Sequence, residues 1–213
     1  MPRALRIHDP DGIYHIVVRG DNREPIFVNN GDHQQYLRLL SGFKAELGFK
    51  CYGYALMTNH VHLLLQPGDK TTVSVIMQRL SATYTRYFNK KHNRVGHIYQ
   101  GRFHSSLVDK EAYLLEVVRY VHLNPVRAGM AHHPRDYLWT SYHAYMDSER
   151  NILELIDCRL ILEMLCHEIV PARQALNAFF QEGITQKYKG PPDALFRPSP
   201  LRYRKRCQTL TGL

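Results

Sequence analysis

The sequence predicts an α+β fold, an antiparallel sheet with helices packed on one face, followed by a small helical C-terminal extension. Three observations carry this. Hydrophobic spacings of two and of about 3.6 residues alternate along the first two-thirds of the chain. Two strand-like runs flank a two-residue connection, which reads as an antiparallel hairpin. After Gly129 the texture changes to a Pro- and Tyr-rich connection that holds the only tryptophan.

The elements follow in order. "IYHIVVRG" (13–20) is β-branched and aromatic and closes on Gly20, so it reads as a strand. In 31–48, Tyr36, Leu39, Leu40, Phe43 and Leu47 fall at helical spacing, and Gly48 is a stop signal. "FKCYGYALM" (49–57) and "HVHLLLQP" (60–67) are the strands joined by Thr58-Asn59. Residues 71–92 read as a long helix, and 95–108, with two glycines, as strand or loop. Residues 109–125 read as a helix capped by Asp109. The order β-α-β-β-α-β-α begins with the split βαβ pattern of ferredoxin-like sheets. Residues 150–167 and 170–183 are spaced as two short amphipathic helices. The expected division is a main domain over 1–146, the helical extension over 147–184, and a basic, Pro-containing tail over 185–213, weakly ordered on its own.

The helix at 109–125 has two stripes. Leu114, Val117, Val118 and Val121 form an apolar one that should cover the sheet. Tyr113, Glu116, Tyr120, Asn124 and Arg127 share another face, which reads either as a solvated surface or as a phenol and a carboxamide converging one turn apart. Residues before proline avoid the α conformation, so Asn124, followed by Pro125, is expected at the fraying helix end.

Composition narrows the function classes. The chain has 213 residues, is 44% hydrophobic and carries a formal net charge of +9. That balance supports a real core and points to a polyanionic partner such as nucleic acid or a membrane surface. The first residues, "MPRALRIHDPDG", lack the apolar stretch of a signal peptide, and no apolar run is long enough to cross a bilayer. The four cysteines show no CxxC pair, so reduced thiols and a cytoplasmic location are expected.

His60 and His62, in "NHVHLLLQP", would project from the same face of a strand, where two imidazoles can chelate one ion. With 13 histidines in the chain, chance alone supplies about one HxH triplet, so the spacing by itself favours two ordinary half-buried strand histidines. A second signal lies in residues 70–108, which contain no Asp or Glu but seven Lys/Arg: Lys70, Arg79, Arg86, Lys90, Lys91, Arg94 and Arg102. Tyr84, Tyr87, Phe88, Tyr99 and Phe103 are interleaved with them. Cations that track phosphates and rings that stack on unpaired bases suit single-stranded nucleic acid. The tail adds seven more Lys/Arg against one acid, Asp193.

"NHVHLLLQP", "HIYQGRFHSSLVDKEAYLLEVVRYVHLNPVRAGM" and "YLWTSYHAY", in that order, resemble the IS200-like single-tyrosine (Y1, HUH) transposases, and within them the REP-associated tyrosine transposase branch. The resemblance spans roughly residues 10–146. It implies that His60 and His62 are a metal-binding pair, that Tyr120 is the nucleophile, and that Asn124 is the third ligand, where many relatives have Gln. It implies Mg²⁺ or Mn²⁺ as the cofactor. It also places Gln100, Arg102 and Phe103 of "QGRF" near bound DNA, joining Arg79, Arg86, Lys90, Lys91, Arg94 and Arg127 as candidate DNA contacts.

The implied activity is nicking and strand transfer on single-stranded DNA bearing a REP-like hairpin, through a 5′-phosphotyrosine, by a homodimer or a monomer in the bacterial cytoplasm. A free phenol titrates near pH ~10 and is a weak nucleophile at neutrality, so such chemistry needs a cation at the phosphate. A non-catalytic hairpin-binding descendant of the same family is the alternative. A metal-dependent hydrolase would need a carboxylate base that the surroundings of the HxH do not offer.

Overall fold

A computed structural model describes residues 9–108 and 111–186; the expected cap at Asp109 and the basic tail lie outside the described residues. The strands are β1 (Tyr14–Arg19), β2 (Lys50–Met57), β3 (His60–Gln66) and β4 (His104–Leu107). The helices are α1 (Asn30–Leu47), α2 (Val73–Lys91), α3 (Glu111–Arg127), α4 (Tyr142–Met146), α5 (Cys158–Glu163) and α6 (Ile169–Thr185). The four strands form one antiparallel sheet in the order β2-β3-β1-β4, the split βαβ arrangement expected from the element order. Of the glycine-containing 95–108 stretch, only four residues form β4; Tyr99 bridges to Gly20 upstream of it.

Local chemistry explains the boundaries. Asn29 and Asp32 form a capping box at the start of α1, and Gly48, at φ 70°, ends it in the left-handed conformation. Thr72 caps α2 by accepting a hydrogen bond from the Val75 N–H. Thr58 and Asn59 form the turn between β2 and β3, with Met57 opposite His60.

The register sorts side chains by face. His60, His62 and Leu64 of β3 share one face with Arg19, Val17 and His15 of β1. Tyr120 of α3 lies against His15 and His62 on that face. The helices α1 and α2 pack together on the other face, where Tyr36 and Tyr84 meet edge to face at 5.0 Å. Leu114, Val117, Val118 and Val121 are all buried, so the apolar stripe of α3 covers the sheet as its spacing predicts.

One expectation about α3 needs correction. The helix does not fray at Asn124; it runs through Pro125 to Arg127, and Asn124 is buried. Proline removes only its own N–H from the ladder, and the bonds on either side hold the turn. The Asn124 side-chain nitrogen donates to the Tyr120 carbonyl at 2.8 Å, the Ala128 N–H donates to the Asn124 carbonyl, and Gly129, at φ 68°, closes the end.

The chain beyond α3 is stitched to the outer side of β2. The Leu56 N–H donates to the Trp139 carbonyl, the Ser141 N–H to the Tyr54 carbonyl, and the Cys51 N–H to the Asp157 carboxylate. Trp139 stacks on His33 of α1, and His33 on Phe27, with centroids 4.4 and 4.3 Å apart. Farther on, α6 packs against α3: the Arg119 guanidinium lies 4.0 Å from the Phe179 ring centroid, and buried His122 meets Phe180. Residues on both sides of position 146 therefore share one hydrophobic core.

Cys51, Cys158 and Cys166 are free thiols, and burial pushes Cys51 and Cys158 up to about 12, which disfavours the thiolate. Among the described residues no helix is long and apolar enough to cross a membrane.

Candidate active site

The site is built on the two interior strands and roofed by α3. The ring of His60 lies 5.0 Å from that of His62, and Tyr120 meets His62 edge-on at 5.7 Å. The HxH spacing on β3 and the Tyr120 stripe of α3 thus converge. Tyr120 carries Arg127 over its ring, with the guanidinium carbon 4.8 Å from the centroid. The charge of Arg127 is also felt by His62. Tyr120 and Arg127 therefore both approach His62, and Asn124 sits between them on the same stripe.

Hydrogen bonds fix how the histidines present themselves. The Asn59 side-chain nitrogen donates to the Arg23 carbonyl at 3.0 Å, so its oxygen is the atom that faces His60 Nδ1 at 2.8 Å. An oxygen there accepts, so His60 carries its proton on Nδ1 and a lone pair on Nε2. His62 Nδ1 is 3.0 Å from Nε2 of His15, a buried histidine on β1.

Burial, with Arg19 second, pushes the His60 imidazole down to about 4. His62 is held well below the usual range by burial, then by His15, His60, Arg127 and Arg19. Burial, with His104 second, pushes His15 down to about 3. All three are neutral at pH 7, the form in which imidazole binds a metal.

This donor set fits a divalent cation. Two neutral imidazoles are held by outer partners, as metal-ligating histidines usually are. The Asn124 nitrogen is engaged with the Tyr120 carbonyl, so the oxygen is what its carboxamide has to offer. Among the described residues no group of three or more His, Cys, Asp or Glu could hold a metal ion, so an ion at the two histidines would need a third ligand of another type, such as this carboxamide.

The basic window is different in space from what it is in sequence. Arg79 is held by both oxygens of Glu46, at 2.6 and 2.8 Å, and Arg94 pairs with Glu24 at 2.7 Å. Lys91 and His92 converge on the buried carboxylate of Asp32. Burial alone would raise Asp32, but bonds from Lys91, the Val28 and Asn29 N–H groups and His92 hold it at about 2. Arg86 donates to Thr83. The acids absent from 70–108 arrive from the preceding loop and from α1, so much of this charge is internally compensated. Lys90, Gln100, Arg102 and Arg127 are exposed and Phe103 is half-buried. The Gln100 N–H donates to the Arg19 carbonyl, and Arg19 stands opposite His60, so "QGRF" lies beside the His60 end of the sheet.

Sequence reasoning missed His15, Arg19 and Asn59. Alternation in "YHIVVRG" already puts His15 and Arg19 on one face, but only the β1–β3 register brings them to the HxH.

Comparison with known proteins accords with this geometry. The profile of a family described as "Transposase IS200 like" matches residues 10–124. The chain belongs to that family. A protein of Haemophilus influenzae named "Putative REP-associated tyrosine transposase" is 26% identical over 111 residues, which are 47% of this chain and 63% of that protein. The solved structure of a REP-associated tyrosine transposase bound to a REP hairpin superposes with a TM-score of 0.56 at 20% identity, covering 67% of this chain and 84% of that one. The chain is thus a member of the IS200-like transposase family, and it shares the fold of that REP-associated structure.

Proposed function

We propose that this protein is a metal-dependent endonuclease and strand transferase that acts on single-stranded DNA beside a REP-like hairpin, with Tyr120 as its nucleophile. The observation that carries the reading is the convergence of Tyr120, His60 and His62 on one face of the sheet, with Asn124 one turn beyond the phenol. The hairpin partner is taken from the REP-bound relative of the same fold.

His60 Nε2, His62 Nε2 and the Asn124 oxygen would hold Mg²⁺ or Mn²⁺. When bound, the ion supplies Lewis-acid polarisation of the scissile phosphate and offsets the charge that builds up on it. Tyr120 attacks phosphorus through its phenolic oxygen. The new O–P bond forms as the bond to the 3′ oxygen breaks, the phenol gives up its proton, and the departing oxygen gains one to become a 3′-OH. The 5′-phosphotyrosine retains the phosphodiester link, so a second 3′-OH can displace Tyr120 and rejoin strands without a nucleotide cofactor. Arg127, whose guanidinium lies above the Tyr120 ring, would hold a phosphate next to the phenol.

The test is incubation with labelled single-stranded hairpin DNA and Mn²⁺, followed by a denaturing gel. The expected result is a covalent adduct that Tyr120→Phe abolishes while hairpin binding persists. Bound but uncut DNA across varied hairpins and flanks would favour the non-catalytic alternative. Cleavage that survives Tyr120→Phe would overturn the tyrosine assignment.

A further inference from the structure

His15 belongs to neither the HxH nor the Tyr120 stripe, yet its ring lies parallel to that of His62, with an interplanar angle of 3° and centroids 5.2 Å apart. The two sit diagonally across β1 and β3, since His15 pairs with Leu64 and His62 with Val17. Their facing nitrogens are 3.0 Å apart, within hydrogen-bond distance. Both residues are buried, at 2% and 4% exposure, so neither ring turns to water without opening the sheet face.

One proton lies between those two nitrogens, and its position decides what His62 offers on its other side. If His15 Nε2 donates, neutral His62 carries its proton on Nε2 and has no lone pair there. If His62 Nδ1 donates, its Nε2 lone pair is available to an ion.

We propose that His15 is a positioning residue for the metal centre: it accepts the Nδ1–H of His62 and so holds His62 as an Nε2 ligand. The inference rests on the proposed metal site at His60, His62 and Asn124. His15 plays for His62 the part that Asn59 plays for His60. Both ligands of β3 are thereby oriented from outside the coordination sphere, one by a carboxamide oxygen and one by an imidazole nitrogen. The ring of His15 also meets Tyr120 edge-on at 5.8 Å, so it braces ligand and phenol together.

The test uses the full chain and has two readouts that do not depend on activity. The first is the His62 tautomer in metal-free protein, read by long-range ¹H–¹⁵N correlation spectra. A protonated Nδ1 and bare Nε2 are expected; the reverse overturns the proposal. The second is Mn²⁺ affinity without DNA, measured by calorimetry. His15→Leu should weaken it about 10- to 100-fold, the range for losing an outer-shell partner. His15→Gln, whose oxygen can accept the same proton, should recover most of the loss. Wild-type affinity in His15→Leu overturns the role of His15 even if wild-type protein forms the covalent DNA adduct. Failure of the wild-type protein to bind Mn²⁺ overturns the metal site itself, and this role with it. If His15→Leu does not fold, the tautomer and His15→Gln still decide: an affinity for His15→Gln as weak as that of His62→Ala overturns the proposal.

Discussion

The carboxamide of Asn59 spans two elements: its oxygen takes the His60 Nδ1 proton at 2.8 Å while its nitrogen holds the Arg23 carbonyl at 3.0 Å. A turn residue thus sets the orientation of a candidate ligand and ties the β2–β3 hairpin to the short turn at Asp21–Arg23 that follows β1. We expect Asn59→Ala to weaken Mn²⁺ binding about 10- to 100-fold, by calorimetry, with hairpin DNA binding in EDTA retained. Unchanged metal affinity would show that His60 needs no such partner.

The buried histidines make stability depend on acid. His15, His60, His62 and His122 are all depressed in the folded protein, chiefly by burial. An unfolded histidine takes its proton near pH ~6.5. Below that value the unfolded chain binds more protons than the folded one, so stability falls as pH falls, through the window from about 6.5 down to the folded values of about 4 and about 3. Urea midpoints followed by circular dichroism should drop between pH 7.5 and pH 5 by the equivalent of more than about 2 kcal/mol, since one such group contributes up to about 1.4 kcal/mol per pH unit. A midpoint independent of pH over that range would contradict the burial of these rings.

Arginines that look alike in sequence should behave differently toward DNA. Arg102 is exposed in the segment beside Arg19, whereas Arg79 is gripped by both oxygens of Glu46. Arg102→Ala is expected to lower the slope of log affinity against log salt for hairpin DNA by about one, the value for a lost phosphate contact, and Arg79→Ala to leave it unchanged. Equal slope changes would mean that Arg79 leaves Glu46 when DNA binds.

The helix that bears the phenol depends on the extension. Phe180 is fully buried in α6 against His122 of α3. Phe180→Ala should destabilise the protein by about 3–5 kcal/mol, measured by denaturant unfolding. A loss under about 1 kcal/mol would show that α3 is held without α6.

Much of the fold was legible because local spacing carries it. The α1 stripe, the Thr58-Asn59 hairpin, the apolar stripe of α3 and the HxH face all follow from periods of 3.6 or 2 within one segment. What was not legible depends on segments distant in the chain. The diagonal between His15 and His62 needs the β1–β3 register, and the neutralisation of Arg79 and Arg94 needs α1 and the loop before it. Asn124 was misjudged for another reason. The avoidance of the α conformation before proline is a preference, and here buried packing and the Asn124–Tyr120 bond outweigh it.

The stitching along β2 also bears on how this molecule meets others. Tyr54 and Leu56 already give backbone bonds to the 139–141 segment, and Cys51 gives both its N–H and its carbonyl to Asp157. With these groups already bonded, the described residues of that flank offer a second copy no continuous ladder on which two sheets could merge. On the β2 flank the fold is therefore guarded against strand exchange.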